Sequence, residues 1–330
     1  MEWDIGLRKI CMVAVVLHIG NYGVLALNNR PIIGVLSQTS DGDFKPYGDS
    51  YILSSYIKYL ESGGARVVPI RIYQSDDYYR SIFNSINGVL FPGGGANLTT
   101  SGYAQAGRIL FDLAIEANKA GDFFPVWGTC LGFQFLTALV AKKVLLGHFD
   151  AENLPLPLDL ISPDYQKSEI FGQAPQEIID ALKTENVTAN SHQFGITPEV
   201  FKQNDDLRNF FRILSTNKDR KGGVFVSSME GYKYPVWGVQ FHPEKNVFIW
   251  YEKYKWLHNE DAVKVTQYFA NFFVNQARHN NHSFSSEEAA AAAVIENYSP
   301  VYLKSFYPYE SLYVFNFTSN DNTINVVNQL

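Results

Sequence analysis

Cysteine is scarce: the 330 residues contain two, Cys11 and Cys130. That excludes a fold stapled by disulfides. No His and Cys residues cluster at metal-ligand spacing, so neither a metal nor another cofactor is expected. Charge is also sparse, at 18% of residues, and basic excess is absent. Lys and Arg number 27 against 33 Asp and Glu, for a net charge of −6 and a pI of about 5.7. Partners of the nucleic-acid or anionic-membrane kind call for a basic footprint, and none is here. A long apolar run is missing too. The nearest approach, at residues 10–29, is broken by His18, Asn21 and glycines, and is too short for a good membrane span. There is no internal repeat and no linker rich in Pro or Ser. What is abundant is apolar surface, 46% hydrophobic with 15% aromatic, enough for one large ring-rich core.

The N-terminus reads as a targeting segment. Arg8 and Lys9 precede the apolar run, and Val24 and Ala26 suit cleavage after Ala26. Residues 1–26 are expected to be a signal peptide, with an uncleaved anchor as the alternative. Cleavage would remove Cys11 and leave Cys130 alone. A leftover cysteine in a secreted chain is a reactive thiol, an intermolecular bridge, or a small buried hydrophobe. Five N-x-S/T sequons, at Asn97, Asn186, Asn281, Asn297 and Asn316, add modest support for the secretory pathway.

The remaining chain alternates strands and helices. "RPIIGVLSQ" (30–38) reads as a buried strand, followed by a helix from about residue 50 to Glu61, a Gly63-Gly64 stop and a strand at 66–72. A strand at 88–91 runs into "PGGG". The next helix shows Ile109, Leu113 and Ala117 on one face and closes at Gly121. "FFPVWG" is a strand and "CLGFQFLTALVAKK" a helix. A strand pair follows around residues 212–229, then a strand at 235–244 and a helix at 261–280. Short loops in this order predict an α/β fold with a mostly parallel central sheet covered by helices on both faces.

Ligands in such sheets bind outside the carboxyl ends of the strands. Cys130 falls there, on a sharp strand-to-helix turn between Gly128 and Gly132. The pattern parallels the hydrolase elbow with sulfur in place of oxygen. The N-terminus of the following helix would favour the thiolate. A nucleophilic cysteine needs a histidine and a carboxylate to orient it. "FHPEK" supplies His242 at a strand end and Glu244 two residues on; in an extended segment the two share a face. Taken alone, His-Pro-Glu is better read as a surface turn; beside an elbow cysteine it becomes the expected partner.

"FPGGG", "GTCLGFQ" and "FHPEK" together resemble the class I glutamine amidotransferase-like superfamily with its Cys-His-Glu triad. "YLESGGARVVPIR", "WGTCLGF", "SSMEGYKYPVWGVQFHPEK" and "FFVNQARHNNHSF" narrow the resemblance to the gamma-glutamyl hydrolase family, over residues 30 to 315. The resemblance implies a flavodoxin-like three-layer domain at 27–318, with 319–330 left as a polar, disordered tail. It implies hydrolysis of folylpoly-gamma-glutamates and antifolate polyglutamates through a thioester on Cys130. His242 would keep the sulfur ionised and then protonate the leaving amine, and Glu244 would orient it. Backbone N–H groups of Leu131 and Gly94 would hold the oxyanion. His192, in "TANSH", and Tyr47 are candidate substrate contacts, His192 being equally readable as a loop histidine capping a turn. A homodimer in the lysosome or outside the cell is implied as well. Three departures stand out: Gln134 where Glu is expected in many relatives, "PGGG" rather than "PGGS", and a tail without counterpart. The competing readings are a glutaminase or amidotransferase subunit, and a secreted non-catalytic binding protein.

Overall fold

The computed structural model describes residues 27–303 and 311–317. The expected signal peptide, residues 304–310 and 318 of the expected domain, and the expected tail at 319–330 lie outside them. Among the described residues the main sheet has eight strands. Its parallel half is β4 (Arg66–Ile70), β1 (Ile32–Leu36), β5 (Gly88–Phe91), β6 (Val126–Thr129) and β12 (Val236–Val239), in that spatial order. It continues antiparallel through β11 (Val224–Gly231), β10 (Phe211–Lys218) and the short β8 (Asp159–Leu160). The parallel strands are buried on both faces, which is why they read as unbroken apolar runs.

Helices cover both faces. Ile32 and Leu36 of β1 point into a cluster with α2 (Asp76–Phe83), α3 (Gly102–Lys119) and α4 (Leu131–Ala141). Ile33 and Val35 point the other way, against α1 (Ser54–Ser62) and the helices Gln176–Thr184 and Glu260–Ala277. The alternation along one strand thus feeds two cores. The phase of α3 differs from expectation. Its buried stripe is Tyr103, Ala106, Leu110 and Ala114, while Ile109, Leu113 and Ala117 are only partly buried. Gly107 sets that phase, because it faces the Phe135 ring of α4 too closely for any Cβ.

Two smaller sheets flank the first. One comprises β2 (Gln38–Thr39), β3 (Ser50–Leu53), β13 (Val301–Tyr302) and β14 (Ser311–Phe315), in the order β13-β14-β3-β2. Residues 50–53 are therefore strand rather than the start of the helix, because β14 returns to pair with them. The other is an antiparallel pair, β7 (Gly147–Leu156) and β9 (Thr188–Gly195), which stands over the carboxyl end of the main sheet.

Candidate active site

Strand β6 delivers Cys130 into the turn that starts α4. The residue sits at φ 51°, ψ −102°, a conformation costly for any residue with a Cβ. Its N–H is held by the Val239 carbonyl at 2.8 Å. Both flanking glycines are required by close approach. A Cβ on Gly132 would run into the Phe91 carbonyl, and one on Gly128 would lie 2.6 Å from the Gly132 backbone. The thiol faces the Ser191 carbonyl at 3.9 Å.

His242 follows the end of β12, its N–H donating to Ala189 O at 2.9 Å. Its Nδ1 lies 2.8 Å from Glu244 Oε1, with both side chains buried. The pair is made by a turn, not by an extended segment as the spacing suggested. Glu244 is helical, at φ −73°, ψ −21°, and caps the short helix Lys245–Phe248. Gly93 is where the site closes. A Cβ there would lie 2.6 Å from His242 Cε1 and 3.2 Å from Cys130 Cβ. The cysteine Cβ and the imidazole therefore flank one glycine. Gly94 follows at the exposed loop tip, with Gln38 against it. Gln38 Nε2 donates to Gly93 O at 2.8 Å, and no Cβ fits on Gly94 beside that amide.

One residue of the site escaped the sequence reading. Tyr56, on α1, is buried; its hydroxyl accepts the Gly93 N–H at 2.8 Å and lies 3.2 Å from His242 Nδ1. It thus ties the glycine loop to the histidine. Since the Gly93 N–H is engaged there, the next N–H of that loop belongs to Gly94. Nothing local marks Tyr56 in a helix that also carries Tyr59; only the fold distinguishes them.

Burial dominates the protonation states. Cys130 is 6% exposed and His242 5%. Burial pushes the thiol up to about 12, opposed by the positive charge of Lys245 and reinforced by Glu244 and Glu152. The N–H of Leu131 faces the sulfur but offsets little. Burial, then Lys245, lowers His242, while Glu244 raises it. Both shifts favour the uncharged forms, thiol and imidazole. Desolvation of the sulfur acts against the thiolate that the helix N-terminus favours. Such an arrangement supports acyl transfer with the proton moving from sulfur to imidazole as the bond forms.

The other expected residues are placed differently. His192 lies in β9, not in a loop, and is buried. Its Nδ1 is 3.0 Å from Phe194 O, its Nε2 is 3.2 Å from Asn190 Oδ1, and its ring meets Phe225 edge-on at 4.7 Å. Tyr47 ends a 3-10 turn (Gly42–Tyr47) and packs on the apolar cluster under α1. Gln134 is buried in α4, its Nε2 donating to Phe194 O at 2.7 Å. Glu230, from "MEGYKYPVWG", sits at the opposite end of the sheet. It accepts the N–H groups of Glu169 and Ile170 and the indole N–H of Trp237. The asparagines of all five sequons are exposed.

A parallel α/β sheet with an elbow cysteine, and a histidine and glutamate after the neighbouring strand, defines a cysteine hydrolase of the α/β class. Within that class, the Peptidase C26 family matches residues 31–244, and the chain belongs to that family. Among its relatives, the gamma-glutamyl hydrolase of Mus musculus is 46% identical over 288 residues, covering 87% of this chain and 90% of its own. That of Homo sapiens is 44% identical over 287 residues, with the same shares. Gamma-glutamyl hydrolase B of Dictyostelium discoideum is 41% identical over 305 residues, covering 92% and 87%.

Proposed function

We propose that this protein hydrolyses the γ-glutamyl bonds of folylpoly-γ-glutamates. The observation that carries the reading is the junction at Gly93, where Cys130 and His242 converge while Nδ1 of the histidine is engaged by Glu244. With Nδ1–H donating to Glu244, Nε2 is left as the base. Cys130 Sγ attacks the γ-carbonyl carbon as Nε2 takes the thiol proton. N–H groups of Leu131 and Gly94 receive the oxyanion. The C–N bond then breaks, and Nε2–H protonates the leaving amine. Water, deprotonated by the same nitrogen, attacks the thioester and returns the thiol. Every step moves one proton through one imidazole.

The setting extends the proposal. A signal at 1–26 and five exposed sequons favour passage through the secretory pathway, to the lysosome or the exterior. The resemblance adds a homodimer.

The test is release of glutamate or shorter polyglutamates from pteroyl-pentaglutamate at pH 5–7. Cys130→Ala is expected to lose about 10⁴-fold or more in kcat, the scale of losing a triad nucleophile. Equal rates in both proteins would overturn the cysteine mechanism. Hydrolysis of free glutamine by the wild type, with no cleavage of γ-Glu-Glu, would move the reading to a glutaminase.

A further inference from the structure

Immediately after Glu244 and the helix Lys245–Phe248, residues 249–258 form a stretch dense in rings: "IWYEKYKWLH". It is fastened to β7. Asn153 Nδ2 donates to Lys253 O at 3.0 Å, and Asn153 Oδ1 accepts the Lys255 N–H at 2.9 Å. The preceding Glu152 accepts the Ser191 hydroxyl at 2.9 Å, and the Ser191 carbonyl is the group facing the Cys130 thiol. The segment therefore adjoins the hairpin β7–β9 at the point where that hairpin meets the nucleophile.

Most of its rings are used internally. Trp256 is buried with Ile249 against Ala189, and Tyr254 stacks on it at 3.8 Å. Trp250 is different, at 60% exposed. It is not a free rotor. His258 stacks on one face at 4.1 Å with an interplanar angle of 11°, and its own Nδ1 is fixed by the Asn246 carbonyl at 2.7 Å. The indole N–H donates to Val247 O at 3.1 Å. The indole is thus held by the same short helix that Glu244 caps, and among the described residues no ring stacks on its second face. A ring fixed in advance can stack on a flat ligand without ordering a side chain. Lys253 and Lys255 of the same stretch outnumber Glu252, a positive balance that suits a ligand both flat and polyanionic.

We propose that Trp250 is the stacking surface for the aryl end of the substrate, the pteroyl group, while the γ-glutamyl chain runs to Cys130. The proposal rests on the γ-glutamyl hydrolase reading and names the part of the substrate that reading leaves unplaced. The experiment compares pteroyl-triglutamate with a γ-linked glutamate trimer that lacks the aryl group. Trp250→Ala should lower kcat/KM on the pteroyl substrate about tenfold, through KM, the scale of a single ring-stacking contact. The rate on the bare trimer should stay within twofold, which also shows that the variant is folded. Trp250→Phe should restore most of the loss. An equal fall on both substrates, no fall on either, or a change confined to oligomeric state would overturn the assignment. Independently, pteroate added to Cys130→Ala should quench tryptophan fluorescence, and the added Trp250→Ala change should raise the pteroate concentration needed for half-quenching about tenfold. If the wild type cleaves neither substrate, the γ-glutamyl reading fails while the pteroate titration still decides the platform: absence of quenching overturns it.

Discussion

His242 is the residue whose proton state sets the chemistry. Its burial, with Lys245 nearby, holds the imidazolium below the ordinary value of 6.5. The base must be neutral to accept the thiol proton. Activity is therefore kept as pH falls below 6.5 and lost only when the lowered value is crossed. The expected kcat/KM profile has its acid limb below pH 6.5. An acid limb at or above 6.5 in a pH–rate series would show that some other group limits the reaction. The neutral resting thiol makes the same point from the other side. With ionisation pushed up to about 12, Cys130 depends on His242 rather than on its own acidity. An enzyme built this way can work in acid while its cysteine rests as the less reactive thiol.

The decisive element is the elbow joining β6 to α4. Gly132 lies where α4 crosses the end of β5, and its Cα faces the Phe91 carbonyl with no room for a methyl group. Gly132→Ala should force the helix off the sheet and destabilise the protein by about 3 kcal/mol or more, by analogy with overpacked cores. Denaturant unfolding monitored by circular dichroism would measure it; a loss under about 1 kcal/mol would mean the helix shifts without strain. Both glycines of this elbow, its cysteine and the strands β1, β5 and β6 were legible in the sequence, because parallel strands buried on two faces leave unmistakable apolar runs. The His-Glu contact was also legible, though for the wrong reason: the spacing of two suits a helical turn as well as a strand. The phase of α3 was not legible, since Gly107 and Phe135 meet only in three dimensions. The hairpin β7–β9 stayed hidden because "GHFDAENLPL" and "TANSHQFG" mix polar and apolar residues without a clean period. Tyr56 was invisible for a related reason: its role depends on a glycine loop 37 residues away.

For the whole molecule, acid is the relevant stress. His192 is buried and held down to about 3, chiefly by desolvation and then by the charge of His242. In the unfolded chain it would protonate near 6.5. The unfolded state therefore gains the proton first, and the contribution of neutral His192 is lost as pH falls from 6.5 towards 3. The slope is about 1.4 kcal/mol per pH unit in that window. His242, shifted the same way, adds to it. His192→Gln should make the decline of Tm between pH 6.5 and 4 shallower while leaving behaviour above pH 7 little changed in slope. An identical slope in the variant would remove His192 from this account.

The pairing of β14 with β3 has a temporal side. Ser54, at the head of the helix that carries Tyr56, donates to the carbonyl of Ser311, a partner 257 residues later in the chain. During synthesis the support under Tyr56 stays unfinished until the last described strand has emerged from the ribosome. A nascent chain can close its sheet and set its cysteine elbow early. The hydroxyl that joins the glycine loop to the histidine is secured only afterwards, so catalytic competence should arrive late in the birth of the molecule, well after its fold is recognisable.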